Sequence, residues 1–246
     1  MNTLVTQHLD PKSQKETTWS PFVSRLKGYD APAEAINLNV EGFRVVGPLQ
    51  GFGQLWEKTY RVRLSGATIT PAEVIQTWKE NFEKFWPAGN HFYAPLTGIT
   101  PGEVALLNLL MPGGMPLSTG MLVIYADDES FTLMTPEGHM ESGWITFSAY
   151  EQDGCTIAQV QSLARANDPL YEIGFLMFAH STQEKFWEHT LTALATHFGI
   201  NGQVQLHKTC LDPAWQWSGV GNVWYNAALR TAICAPVYLI RKLFRR

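Results

Sequence analysis

Between Gln54 and Leu64 the chain alternates. Trp56, Lys58, Tyr60, Val62 and Leu64 fall on one side, and Glu57, Thr59, Arg61 and Arg63 on the other. A period of two predicts a half-buried antiparallel strand, with Lys58 as the one exception on its apolar side. The pattern then changes to a period near 3.6. Val74, Ile75, Trp78, Phe82 and Phe85 share one helical face. Thr70 with Glu73 forms a capping box, Pro71 suits the first helical position, and Pro87 ends the helix.

Short apolar runs follow, separated by turn residues at roughly ten-residue intervals. They are Val104 to Met111, Met121 to Tyr125, Phe131 to Met134, Trp144 to Tyr150 and Cys155 to Ala164. Asp153-Gly154 is a two-residue hairpin signal. This spacing predicts an antiparallel meander and not β-α-β units. Asn167-Asp168-Pro169 reads as a turn, and Leu170 to Phe178 as a mostly apolar run broken by Glu172. Ser181 and Glu184 match a second capping box, so a helix is expected from near Thr182. Trp187, Leu191, Leu194, Ala195 and Phe198 form its apolar face and Gly199 its stop. Outside these elements, residues 1–20 read as a polar arm. Val40 and Phe43 to Val46 suggest a short strand, and so do Val204 to Leu206.

The order is strand, helix, several antiparallel strands and one long helix. A curved sheet closing on such a helix leaves room for an apolar ligand between them. The expected fold is therefore α+β: a helix-grip fold, with a curved antiparallel sheet wrapped around a long C-terminal helix. It would occupy residues 54–200, with extensions over 1–53 and 201–246.

The order, together with the segments LWEKTYRVRL, TPAEVIQTWKENFEKFWP, GWITFSAYEQDG and QEKFWEHTLTALATHFGI, resembles the START-like helix-grip (SRPBCC) superfamily, and within it bacterial members. That superfamily includes polyketide cyclases and plant pollen-allergen proteins. The resemblance spans about residues 54–200 and rests on no catalytic signature. It implies a cavity for a lipid, hormone or polyketide, and a minority of the superfamily are enzymes.

Composition narrows the function further. Of 246 residues 45% are hydrophobic and 16% charged, and nine are Trp, which excludes a disordered chain. The net charge of −4 hides an asymmetry, because Ala227 to Arg246 holds five basic residues and no acid. The remaining body is acidic, which disfavours nucleic acid. The basic tail, with Leu229, Ile233, Val237, Ile240 and Phe244 at helical spacing, suits either packing on the domain or an anionic membrane surface. No run approaches the ~20 apolar residues of a spanning helix, and Met1 to Glu16 does not resemble a secretory signal. Cys155, Cys210 and Cys234 form no C-x-x-C pair. The expected location is cytoplasmic, with peripheral attachment to the inner membrane face as the tail's alternative.

No cofactor is implied. His180, Glu184 and His189 do not have the H-E-x-x-H spacing of a zinc site, so no metal is expected. The glycine turns lack a phosphate-loop setting, and no G-x-S-x-G elbow occurs. Residues expected to bind an apolar small molecule or lipid are Trp78, His91, Tyr93, Trp187, Leu191 and Leu194. As core residues several of these would look the same. The alternative is a cyclase- or hydrolase-type enzyme using His91, Tyr93 or His139 in the same cavity. Glu137 and His139 could make an acid/base pair at its mouth, although their place in Pro136-Glu137-Gly138-His139 reads more plainly as a solvated turn. A third reading is a membrane-associated interaction module.

Overall fold

The computed structural model describes residues 18–27, 35–36, 38–66, 68–95 and 97–234. Eight strands form one curved, unclosed antiparallel sheet, in the order β2-β3-β4-β5-β6-β7-β1-β8. They are β1 (Leu55–Arg63), β2 (His91–Tyr93), β3 (Val104–Met111), β4 (Met115–Ala126), β5 (Ser130–Met134), β6 (Glu141–Gln152), β7 (Cys155–Ala166) and β8 (Gln205–Asp212). Strands β2 to β7 are a continuous meander. Strand β1 then pairs with β7, and β8 with the free edge of β1. The hairpin between β6 and β7 turns at Asp153 and Gly154, both at positive φ, as a two-residue turn of matching twist requires.

Helix α1 (Pro71–Glu80) is capped as its sequence predicts. Thr70 Oγ1 accepts the Glu73 N–H at 3.3 Å, and Glu73 Oε2 accepts the Thr70 N–H at 2.8 Å. It stops earlier than the apolar spacing suggests. The Asn81 side chain donates to the Thr77 carbonyl, and a 3-10 turn over Phe82–Phe85 follows. An Asn competing for a helical carbonyl offers the chain an exit from the helix.

The long helix also departs from expectation. It begins not near Thr182 but with α2 (Pro169–Gly174), continues through a π-turn (Phe175–Ala179) and becomes α3 (His180–His197). Asp168 is the cap: its Oδ1 accepts the N–H groups of Leu170 and Tyr171. Asp168-Pro169 is thus a helix start and not only a turn.

The main core lies between the concave face of the sheet and the helices α1 and α3. Tyr60, Val62, Trp78, Phe131, Phe147, Leu191 and Leu194 are all sealed there. A second cluster covers the opposite face of β3 and β4, where Leu26, Ala35 and Val40 pack on Val104, Leu106 and Leu122. Burial on both faces explains why β3 is nearly all apolar instead of alternating. The expected strand at 40–46 is reduced to a single bridge between Val45 and Pro136. A third cluster joins Tyr171 and Phe175 to Ala227 and Ala228, in a helical stretch over 227–234. The rest of the basic tail, 235–246, lies outside the described residues.

Candidate functional site

Packing between α3 and the sheet is solid in one half and open in the other. Leu191 and Leu194, about three to four turns along α3, are fully buried in the core. Around Thr182, Gln183, Phe186 and Trp187, nearer its start, a pocket of about 120 Å³ opens toward β3, β6 and β7. Leu107, Leu133, Ile145, Phe147, Trp86 and Phe175 form much of its wall. Asn90, Leu110 and Met111 stand at the rim, where Leu110 is half exposed. A dry apolar cavity of about 150 Å³ is known to take up benzene, so the space here suits roughly one ring.

One end of the pocket is polar. Glu141 begins β6, and its two carboxylate oxygens both accept from Gln183 Nε2 at 2.9 Å. Gln183 Oε1 in turn accepts from Lys58 Nζ at 2.5 Å. Strand alternation puts Lys58 on the concave face, where it is 3% exposed, directly opposite Ser162 of β7. The lysine that breaks the apolar pattern of β1 is therefore a built feature of the interior. Burial lowers the pKa of Lys58, opposed by Glu141 and Glu184, and raises that of Glu141, opposed by Lys58 and Gln183. Gln183 spans the two charges and bonds to both, which limits the cost of burying them.

His139 adds a third polar group. It is buried, and not on a solvated turn, because the C-terminal segment packs over this corner: the Ala227 N–H donates to the Gly138 carbonyl at 2.8 Å. Its Nδ1 lies 3.1 Å from the Glu141 N and 3.2 Å from the Glu141 carbonyl oxygen; in the tautomer that accepts the Glu141 N–H, the proton is on Nε2. Burial pushes its pKa down to about 4, so the ring is neutral at ordinary pH. Glu137, the other half of the expected acid/base pair, is not in the pocket. It binds the Arg44 side chain and backbone N–H on the far side of the turn. Although burial works against it, those bonds hold its carboxyl below the usual range.

Of the six residues expected to bind ligand, the structure puts Trp187 in the pocket wall. Trp78 is sealed in the core, edge-on to Phe147 with ring centroids 5.2 Å apart, and Leu191 and Leu194 belong to the same packed cluster. His91 and Tyr93 share a face, as alternation requires, but it is the outer one. Phe92 between them takes the inner face, against Phe82 at 4.7 Å. His91 Nδ1 bonds Glu83 at 2.8 Å, and Tyr93 packs on the outer cluster. Glu184 pairs with Lys208. Sequence reasoning missed Glu141 and Gln183 altogether, and for Lys58 the broken alternation was the available signal.

Comparison with solved structures finds partial similarity to several proteins. A START superfamily protein from Mycobacterium smegmatis is 18% identical, with 59% of this chain and 97% of that one covered and a TM-score of 0.41. The di-domain ARO/CYC StfQ from the steffimycin biosynthetic pathway is 8% identical, over 60% of this chain and 53% of that one, with a TM-score of 0.45. Ara h 8.0201 is 13% identical, over 57% and 97%, with a TM-score of 0.39. These are partial likenesses at low identity; the architecture itself is α+β, a curved, unclosed antiparallel sheet with a long helix across it. No protein-family model and no curated protein matches the chain.

Proposed function

We propose that this protein binds one small, mainly apolar molecule in the pocket between α3 and the sheet. The observation that carries the reading is the pocket itself: apolar and aromatic walls around ring-sized space, with a few polar groups gathered at one end. This is the usual make-up of a small-molecule site, at less than the usual size. Binding is favoured over catalysis by the way the polar groups are satisfied. Among the described residues His139 bonds to the Glu141 backbone, which is not the pairing of a base with a nucleophile. The test is titration with toluene and indole, followed by intrinsic Trp fluorescence and thermal melting. Saturable binding with a raised Tm is expected, since a ligand that binds only the folded state stabilises it. Absence of binding by both probes overturns the reading.

A second reading, docking on an anionic membrane, is favoured by a separate observation. Leu170, Ile173, Leu176 and Met177 on the α2 and π-turn segment are exposed, as are Leu229 and Ile233 on the 227–234 helix. These two segments meet through Tyr171, Phe175, Ala227 and Ala228, next to the pocket wall at Phe175. Among the described residues no helix is long and apolar enough to cross a membrane. An apolar helical face can instead lie in the interface, and the adjoining segment 235–246 contributes Arg241, Lys242, Arg245 and Arg246 with no acid. Full-length protein should co-sediment with phosphatidylserine vesicles in a salt-sensitive way. A variant with those four residues changed to Gln should not. Equal sedimentation of both, or of neither, removes this reading.

A further inference from the structure

The polar end of the pocket restricts what the apolar walls admit. Glu141 and His139 both line the space, whereas Lys58 stands behind Gln183 and does not. The two Glu141 oxygens each accept one bond from Gln183, and a carboxylate has lone pairs left for more. His139 has its Nδ1 engaged by the Glu141 backbone, and in the tautomer whose Nδ1 accepts the Glu141 N–H the ring nitrogen left to a ligand is Nε2, a donor. One acceptor and one donor therefore face the same small space.

Each ligand type meets this pair differently. An anionic head would sit against a carboxylate of the same sign, with Lys58 screened from it by the Gln183 amide. A cationic head would satisfy Glu141, but it would add a second positive charge beside Lys58 in an apolar interior, where an unpaired charge is costly. A purely hydrocarbon ligand would exclude water from Glu141 and His139 and offer no replacement bond. A hydroxyl does both jobs at once: its O–H donates to the carboxylate and its oxygen accepts from the imidazole N–H. We propose that the pocket selects a neutral, ring-sized apolar molecule bearing one hydroxyl group, a phenol or a cyclic alcohol, held between Glu141 and His139. This rests on the pocket being the ligand site, and it names the class of ligand.

The test is a set of matched probes against the full chain by isothermal titration calorimetry at pH 7: phenol, cyclohexanol, toluene, benzoate and benzylamine. Phenol and cyclohexanol should bind at least tenfold more tightly than toluene, with benzoate and benzylamine weakest. In Glu141→Gln the advantage of phenol over toluene should fall several-fold, while toluene itself changes by less than twofold. Because Glu141→Gln removes one of the two carboxylates that favour the Lys58 charge, the double variant Lys58→Met/Glu141→Gln provides the same comparison without that buried lysine. Toluene and phenol binding equally well overturns this inference and leaves the ligand site standing. No probe binding at all overturns the ligand site. Benzoate or benzylamine binding tightest reassigns the polar end to a charged ligand and also overturns the inference.

Discussion

Asn226 Nδ2 donates to Asp168 Oδ2 at 2.8 Å, while Asp168 Oδ1 caps the long helix that covers the sheet. One buried carboxylate thus starts α2 and also anchors the C-terminal segment to it. Tyr171 repeats the link one turn on, its hydroxyl accepting the Ala228 N–H at 3.0 Å. The pocket wall at Phe175 and the cover over His139 depend on this junction.

Replacing Asp168 with Ala should therefore cost more than an ordinary cap. Loss of the cap is worth about 1 kcal/mol and a stranded Asn226 amide another 1–3 kcal/mol. Urea unfolding should show about 2–4 kcal/mol for Asp168→Ala. The double variant with Asn226→Ala should be less destabilised than the sum of the singles, because the two share one bond. Strict additivity would mean that the two side chains do not couple.

Gly138 and Gly66 separate backbone strain from close approach. Both have positive φ, 80° and 92°. A Cβ on Gly138 would lie 1.9 Å from the Tyr225 carbonyl oxygen, whereas one on Gly66 meets nothing within 4 Å. Gly66→Ala should cost about 1–2 kcal/mol, the left-handed penalty alone. Gly138→Ala should displace the C-terminal segment, seen as faster proteolysis after residue 212 and a much lower Tm. Equal effects from the two would contradict the packing of Tyr225 on this turn.

His139 makes a pH prediction with a definite sign. Unfolded, its imidazole takes a proton near pH 6.5, but burial holds the folded pKa at about 4. Between these values the unfolded chain binds the extra proton, so stability is full above 6.5 and falls as pH drops toward 4, by up to about 3 kcal/mol. Glu137 also loses stabilisation in acid, so the informative measurement is wild type against His139→Asn, whose Oδ1 can still accept the Glu141 N–H. The variant should lose less stability on acidification. Parallel pH profiles would show that His139 is not buried in its neutral form.

The fold was legible in the sequence because alternation and capping are local. The strand at 55–63, the Thr70 box and the Asp153-Gly154 hairpin each announce themselves within a few residues. The helix start was misplaced because two capping signals competed. Asp168-Pro169 starts the helix, and the chain runs on without a break through Ser181 and Glu184. The site was less legible, since its side-chain-to-side-chain contacts join distant segments, and only the bond of His139 to the Glu141 backbone is local. Lys58 and Gln183 lie 125 residues apart, and Gln183 and Glu141 42 apart. Alternation could place His91 and Tyr93 on one face, but only the pairing of Phe92 with Phe82 decides that the face is the outer one.

Phe186 should limit the size of what the pocket admits. It lines the pocket and is packed edge-on to Trp86 and Trp187, with centroids 5.1 and 4.8 Å away. Phe186→Ala removes a benzyl ring from the wall without touching Glu141, Gln183 or His139. A buried Phe→Ala change costs about 3–5 kcal/mol, and this partly exposed one should fall at or below the lower figure. The enlarged space should shift preference from one ring to two, with 2-naphthol gaining at least tenfold over phenol by calorimetry. The hydroxyl preference should persist, so that 2-naphthol still outbinds naphthalene in the variant. If the relative affinities of one- and two-ring probes do not change, Phe186 does not bound the site, and the ligand lies elsewhere along the sheet.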